Sequence, residues 1–305
     1  MRNSSLYVAF LAFLLAAVPA QAQNVKLITL VVGFAPGGTS SIVAHYLAEG
    51  MQAMLGAAVI VENKAGAGGL VAADYVKRQA PDGATLLVLS STSLMKFPPT
   101  SELVPIAQVA TFDYVFAAGP TIRAETLGDY FGAARADVAM RTYASPGPGT
   151  LPHLIVEAMA QQMNLPLVAV QFRGSAPAAM NVLGGHVAAA ILPMPDYLPH
   201  RDNVRAIAIV AEKRSPLLPN VPTMAEDNYD INTVGWIGLF APQHTPLETI
   251  QMLSAAAKAA IASNPRYLAE RGFHPTGTTA EELALIHRRD YERWLPTLQK
   301  LGIVP

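Results

Sequence analysis

Two glycine-rich junctions set the frame for this chain, because each stands between a strand-like apolar run and a stretch of helical spacing. Phe34-Ala35-Pro36-Gly37-Gly38-Thr39-Ser40-Ser41 follows Leu27 to Gly33, and Ser145-Pro146-Gly147-Pro148-Gly149-Thr150 follows a strand candidate at Arg141 to Ala144. A strand feeding a helix through a short glycine loop is half of a βαβ unit, and right-handed crossovers of that kind give a parallel sheet. Each junction also presents unpaired backbone N–H groups at a helix N-terminus, so two facing one another would make an anion clamp.

The apolar pattern extends both units. Val25 to Gly33 reads as a strand covered on both faces, and Val43, Leu47, Met51, Met54 and Leu55 form one helical stripe closed by Gly56. Ala58 to Glu62 and Thr85 to Leu89 are extended, with a short helix over Leu70 to Arg78 between them. A second unit begins after Gly119-Pro120, with helices at Ala124 to Ala134, Thr150 to Met163 and Ser175 to Leu183, and strands at Leu167 to Gln171, Val187 to Leu192 and Val204 to Ala211. The proline-rich Lys213 to Pro222 is a surface connection, Thr233 to Ala241 is extended again, and Pro246 to Ala262 and Thr279 to Leu301 are helical. These patterns predict two α/β lobes, the first over 23–118, the second over 119–235, and a return to the first over 236–305. Ligands of such folds lie in the cleft between the lobes.

Residues 1–22 read as a secretory signal, with Arg2 before the uncharged Leu6 to Val18 and Ala20-Gln21-Ala22 as an A-x-A cleavage site. The apolar stretch is shorter than the ~20 residues of a spanning helix, and Pro19 ends it. Cleavage near Ala22 predicts an exported, periplasmic chain. There is no cysteine, which excludes disulfides, thiolate metal sites and cysteine nucleophiles, so roughly 280 residues must be held by their core. The formal charge of −1 contains no Lys/Arg block, so no nucleic-acid partner is expected. Without heptads or a large apolar stripe, the chain is expected to be a monomer.

Taken singly, the motifs leave alternatives open. Gly37-Gly38 is either an anion-binding loop or a plain βα turn. Gly147-Gly149 matches G-x-G-x-x-G only in part, with Pro152 at the last glycine position, and there is no G-K-[ST], so neither a dinucleotide nor a P-loop is expected. His153, four residues after Gly149, either donates to a ligand or caps its own turn. Arg173, before Gly174-Ser175, either meets a carboxylate with its planar fork or is solvated. Asn63 to Gly69 is a third glycine loop, either at the cleft or serving helix packing. No G-x-S-x-G or H-E-x-x-H occurs and the seven histidines are scattered, so no metal and no cofactor are expected.

Several strings, in order, resemble the periplasmic receptors of tripartite tricarboxylate transporters, the Bug or TctC family. They include Leu30-Val31-Val32-Gly33-Phe34-Ala35-Pro36-Gly37-Gly38, Val61-Glu62-Asn63-Lys64-Ala65-Gly66-Ala67-Gly68-Gly69, Ala80-Pro81-Asp82-Gly83 and Tyr143-Ala144-Ser145-Pro146-Gly147. Phe172-Arg173-Gly174-Ser175-Ala176-Pro177-Ala178, Leu218-Pro219-Asn220-Val221-Pro222-Thr223 and Trp236-Ile237-Gly238-Leu239 follow. The resemblance covers nearly the whole mature chain. It implies an α/β, two-lobed periplasmic-binding-protein (Venus flytrap) fold with mixed, mostly parallel sheets, closing on a small organic acid. The implied first-lobe contacts are Phe34, Ala35, Gly37, Gly38, Thr39 and Ser41, with Ser91 and Thr92 at the rim. Ser145, Gly147, Gly149, Thr150, His153, Arg173 and Gly174 are those of the second lobe.

Three departures stand out from the family pattern. Ser41 replaces an aspartate and His45 an arginine; Ser93-Leu94-Met95-Lys96-Phe97-Pro98-Pro99 replaces a longer Tyr- and Asn-containing stretch; and Leu192 stands where a second-lobe aspartate is usual. They imply a more apolar cleft, suited to an aromatic or aliphatic acid. The function expected is capture of a small carboxylate, without chemistry, for the membrane subunits of a tripartite tricarboxylate-type transporter. The alternatives are presentation of the ligand to a signalling sensor, or a periplasmic enzyme acting on the same acids through an unrecognised triad.

Overall fold

Leu30, Val31 and Val32 are fully buried in the first strand, as an apolar run enclosed on both sides of a sheet must be. The computed structural model describes residues 27–94, 97–99, 102–229 and 231–302; the segment read as a secretory signal, its expected cleavage site, and Met95 and Lys96 of the altered stretch lie outside them.

The chain begins with β1 (Ile28–Val32), α1 (Thr39–Leu55), β2 (Val59–Asn63), α2 (Leu70–Lys77), β3 (Thr85–Ser90), the short α3 (Ser91–Leu94) and β4 (Leu103–Phe112). It continues with β5 (Tyr114–Ala118), α4 (Leu127–Ala136), β6 (Thr142–Ser145), α5 (Leu151–Gln162), β7 (Val168–Gln171), α6 (Ser175–Leu183), β8 (Ala189–Pro193), α7 (Met194–Tyr197) and β9 (Arg205–Val210). The return comprises β10 (Gly235–Pro242), α8 (Leu247–Ser263), α9 (Pro265–Ala269), β11 (His274–Pro275) and α10 (Ala280–Lys300). Two sheets result, in the spatial orders β11-β4-β10-β3-β1-β2 and β7-β6-β8-β5-β9. Each is the centre of one lobe.

Both sheets are mixed, but they are not mostly parallel. β1 pairs in parallel with β2 and β3, and β6 with β7 and β8, whereas the other five of the nine pairings are antiparallel. The antiparallel half comes largely from β4 and β5, in a stretch where the sequence patterns predict no element. These two strands also move the first lobe boundary. β5 pairs with β8 and β9 of the second sheet, so the chain changes lobe at Asp113 rather than at 118. No glycine or proline marks that crossing, because Phe112 and Tyr114 pack edge to face, 5.2 Å between ring centroids, and carry the core through it. Asp113 is held on its backbone side by the Met194 N–H at 2.8 Å. The chain re-enters the first sheet at β10, and all eight residues of that strand are buried.

The return docks on the first lobe through α8 against α1. A side chain at Gly50 would collide with Ala260, and the Tyr46 hydroxyl donates to the Ala260 carbonyl at 2.8 Å. Gly50 thus permits a helix approach that a larger residue would prevent.

Candidate functional site

The strand ends aimed at one another across the two sheets are those of β1, β3, β6, β7 and β8. In open α/β sheets the crevice beyond such carboxyl ends is where ligands bind. The lobes touch there. The Ala35 N–H donates to the Arg173 carbonyl at 3.2 Å, and a Cβ at Gly174 would stand 3.3 Å from that of Phe34. A Cβ at Gly147 would stand 2.9 Å from the Gly68 backbone, which puts the third glycine loop on the cleft.

Between these contacts is a cavity with about 20 Å³ open to the centre of a water molecule. Phe34, Ala35, Gly38, Thr39 and Ser40 line it from the first junction, with Ser90 and Thr92 beside them. The second lobe contributes Pro146, Pro152, Ser175, Ala176 and Pro193. Five of these residues carry hydroxyls and none carries a charge.

Helix starts at the cleft differ from those of α4 and α10, though α2 and α8 also begin without a side-chain cap. Away from the cleft, α4 and α10 have full capping boxes, Thr126 with Asp129 and Thr279 with Glu282. At the cleft, α1 and α6 start from Gly38 and Gly174, with no side-chain cap and no acidic residue in the first turn. Glycine at these N-caps leaves room for another group to meet the first N–H groups, and the helix dipole favours an anion there. Gly174 also has φ 129°, a conformation that favours glycine.

The loop at Gly147 behaves differently from the expectation. Its N–H groups are used within the loop: that of Gly147 donates to Ser145 Oγ at 3.3 Å, that of Gly149 to His153 Nδ1 at 3.2 Å, and that of Thr150 to the Gly147 carbonyl at 3.3 Å. Thr150 Oγ1 also donates to the Gly147 carbonyl. The second uncapped helix facing α1 across the cavity is therefore α6, and the motif that signals it is Arg173-Gly174-Ser175.

Of the residues expected at the site, Phe34, Ala35, Gly38, Thr39 and Thr92 line the cavity. Gly37 shapes the turn with φ 86°, and Gly174 and Gly147 form the lobe contacts. Ser41 is buried within α1, while His45 is exposed on its outer side. Ser91 is committed to the core, its Oγ accepting from the Trp236 N–H at 3.1 Å. Ser145 and Thr150 hold the loop. His153 caps its own loop and stacks on Tyr143, 6.3 Å between centroids, which is the second of the two readings its position allows. The Arg173 side chain is exposed and its carbonyl makes the lobe contact, so its fork is not part of the cavity wall. Lys64 is tied to Glu62 at 2.6 Å.

Ser40, Ser175 and Ala176 lie within the quoted motifs but are not among the expected contacts, and Ser90 and Asp196 lie outside those motifs. Leu192 is 1% exposed in the apolar core of the second lobe, yet Asp196, in the helical turn after β8, is only 6% exposed and faces the cleft contact. Its Oδ1 would be 3.8 Å from a Cβ at Gly38 on the other lobe. Burial pushes the Asp196 carboxyl up to about 6, with the nearby hydroxyls of Ser175 and Thr39 and the Thr39 N–H pulling partly the other way. The cavity expected to be more apolar has no charged residue in its lining, and this carboxyl stands beside it. An acidic residue outside the family strings carries no pattern to announce it.

The model of the tripartite tricarboxylate transporter family receptor matches residues 43–303. BugT of Bordetella pertussis is 31% identical over 302 residues, 94% of this chain and 93% of the relative. Among solved structures, the periplasmic binding protein BugD superposes with a TM-score of 0.85 at 26% identity, covering 90% of this chain and 97% of BugD. MatC of Rhodopseudomonas palustris, solved with bound malate, gives 0.85 at 26% identity, covering 90% and 99%. The chain belongs to the tripartite tricarboxylate transporter receptor family, with the two-lobed fold of periplasmic binding proteins.

Proposed function

We propose that this member of the tripartite tricarboxylate transporter receptor family captures a small organic acid in the interlobe cleft and delivers it, unchanged, to the membrane subunits of a transporter. It does so in the periplasm, after loss of the segment ending near Ala22. One observation carries the reading: α1 and α6 start at the cavity on bare glycine caps, while α4 and α10, which start elsewhere, carry capping boxes. The malate in MatC, a small dicarboxylate, is consistent with an acid as cargo.

The energetics require both lobes. Micromolar capture needs about −8 kcal/mol, and a hydrogen bond to a charged group contributes about 1.5–3 kcal/mol net. Several donors must therefore converge, and the first turns of α1 and α6 with Ser40, Ser90, Thr92 and Ser175 supply them from two sides. A cavity of this size admits cargo only when the lobes part, so ligand binding selects reclosure around it.

The test pairs stability with chemistry. Purified protein is incubated with a panel of mono- and dicarboxylates, following melting temperature by fluorescence and the acid by mass spectrometry. A saturable rise in melting temperature with the acid recovered intact supports a receptor, and turnover overturns it.

A further inference from the structure

The Phe34–Ala35 peptide is held on both of its sides. Its N–H makes the interlobe bond to the Arg173 carbonyl at 3.2 Å, and its carbonyl accepts from the side-chain amide of Asn63, Nδ2, at 2.9 Å. A trans peptide carries these two groups on opposite sides, so a donor fixed at the carbonyl aims the N–H at the other lobe. Phe34 and Ala35 lie between β1 and α1, where no helix or sheet ladder sets the plane of the peptide. Asn63 is itself firmly placed. It ends β2 in register with Val32, and the next residue, Lys64, donates its N–H to the Val32 carbonyl at 2.8 Å. The Lys64 ammonium is turned away to Glu62 at 2.6 Å and lies over the Tyr75 ring, 4.1 Å from its centroid.

We propose that Asn63 is a positioning residue for lobe closure: it orients the Phe34–Ala35 peptide so that the Ala35 N–H meets Arg173, and it slows ligand release without lining the cavity. This rests on the receptor reading above. The same role accounts for the third glycine loop, because the second lobe contact comes from it as well: a Cβ at Gly147 would stand 2.9 Å from the Gly68 backbone. Residues 63–69 thus serve closure at two points, through Phe34 and directly. Hydrogen bonds in series polarise one another, so the Asn63 amide also strengthens the bond that Ala35 makes. With the amide removed, the Phe34 carbonyl loses its donor and the peptide plane is free to turn. The closed form then loses its bond to Arg173, which the open form does not make. Ligand dissociation therefore speeds up, while association, which begins from the open form, is unaltered.

Calorimetry and stopped-flow fluorescence with succinate, malate and benzoate test this. Two variants are compared with wild type: Asn63→Ala, and Asn63→Asp, which keeps the size but sets an acceptor against the Phe34 carbonyl; circular dichroism checks that both fold. Each should weaken the best-bound probe by about fivefold or more, with the dissociation rate rising by that factor and the association rate within about twofold of wild type. Hydrogen exchange at the Ala35 amide in the probe-saturated protein should accelerate in both. A double-mutant cycle separates positioning from a general structural role: once Gly174→Ala has broken the same contact, adding Asn63→Ala should cost less than about twofold in affinity. Unchanged affinity in both variants, or full additivity with Gly174→Ala, overturns the role of Asn63 and leaves the receptor reading intact. Failure of wild type to bind any of the three acids overturns the receptor reading and this role with it.

Discussion

The Ala35 N–H and the Arg173 carbonyl, 3.2 Å apart, join the two lobes backbone to backbone across the cleft. The glycine after Arg173 is what permits it. Gly174 has φ 129°, and its missing side chain lies against Phe34. Gly174→Ala therefore strains the backbone and pushes on Phe34. A strained backbone of this kind costs about 1–3 kcal/mol, so ligand affinity should fall roughly five- to hundredfold by calorimetry. Small-angle scattering should show a more open shape with ligand present. Wild-type affinity and shape would mean that this contact is dispensable for closure.

Gly38→Val offers a cleaner block of the cavity. The backbone at Gly38, φ −88° and ψ 175°, suits any residue, and its Cβ would meet Ala176 and Asp196 only at ordinary contact distance. The added methyls enter the space between α1 and α6. At ligand about 100 times Kd, wild type gains about 2.7 kcal/mol, roughly 5–10 °C in melting temperature. The variant should lose that gain while its own melting temperature without ligand changes little. A normal ligand-induced shift in Gly38→Val would place binding elsewhere.

Asp196 makes a pH prediction whose sign follows from its raised pKa. Its carboxyl stands at about 6 in the folded protein, above the ordinary 3.8, so the folded state holds the proton over a range where the unfolded chain has lost it. Stability contributed by this group is highest below pH 4, declines as pH rises to about 6, and then stays level. Across that window the loss is about 3 kcal/mol, because each tenfold change in proton affinity is worth about 1.4 kcal/mol. Asp196→Asn removes it. Urea unfolding at several pH values should show the variant gaining on wild type between pH 4 and 6.5, and parallel curves would contradict the burial of an ionised Asp196. Asp129, Glu226 and Glu281 are held below their ordinary values and act in the opposite direction in both proteins, so the difference between them isolates Asp196.

Most helices and the early parallel strands were legible because their signals are local: the stripe from Val43 to Leu55, the strand-to-helix loop at Gly37-Gly38, the start at Thr279; the cap of α1 is Gly38, with Ser40 and Ser41 already inside the helix. Ser175 and Leu183 are the ends of a helix read correctly from the sequence. What escaped depends on tertiary pairing. Strands β4 and β5 run on through Asp113 without a turn signal, and only their hydrogen-bond partners reveal that the chain has passed from one sheet to the other. At the site, the spacing of Gly147, Gly149 and His153 suggests an anion loop, but three dimensions turn those groups inward on one another. Asp196 was invisible because its significance lies in meeting Thr39, 157 positions earlier in the chain.

His153 supplies a contrasting prediction. Its ring accepts from the Gly149 N–H and stacks on Tyr143, so His153→Ala leaves a part-buried donor unpaired. That should cost about 1–3 kcal/mol of stability, read from denaturant midpoints, with little change in ligand preference. Arg173→Ala, at an exposed side chain, should change carboxylate affinity less than about twofold, a difference within the ±0.5 kcal/mol usual for surface substitutions. A selective loss of carboxylate binding in either variant would return that side chain to the ligand.

A crystal structure of the protein with an acid chosen from the thermal-shift panel tests the central claim most directly. The account predicts the carboxylate between the lobes, its oxygens within hydrogen-bond distance of first-turn N–H groups of α1 or α6 and of hydroxyls among Ser40, Ser90, Thr92 and Ser175. A carboxylate held outside this cleft, or bound in it only through the Arg173 or His153 side chain with both helix starts unused, would contradict it.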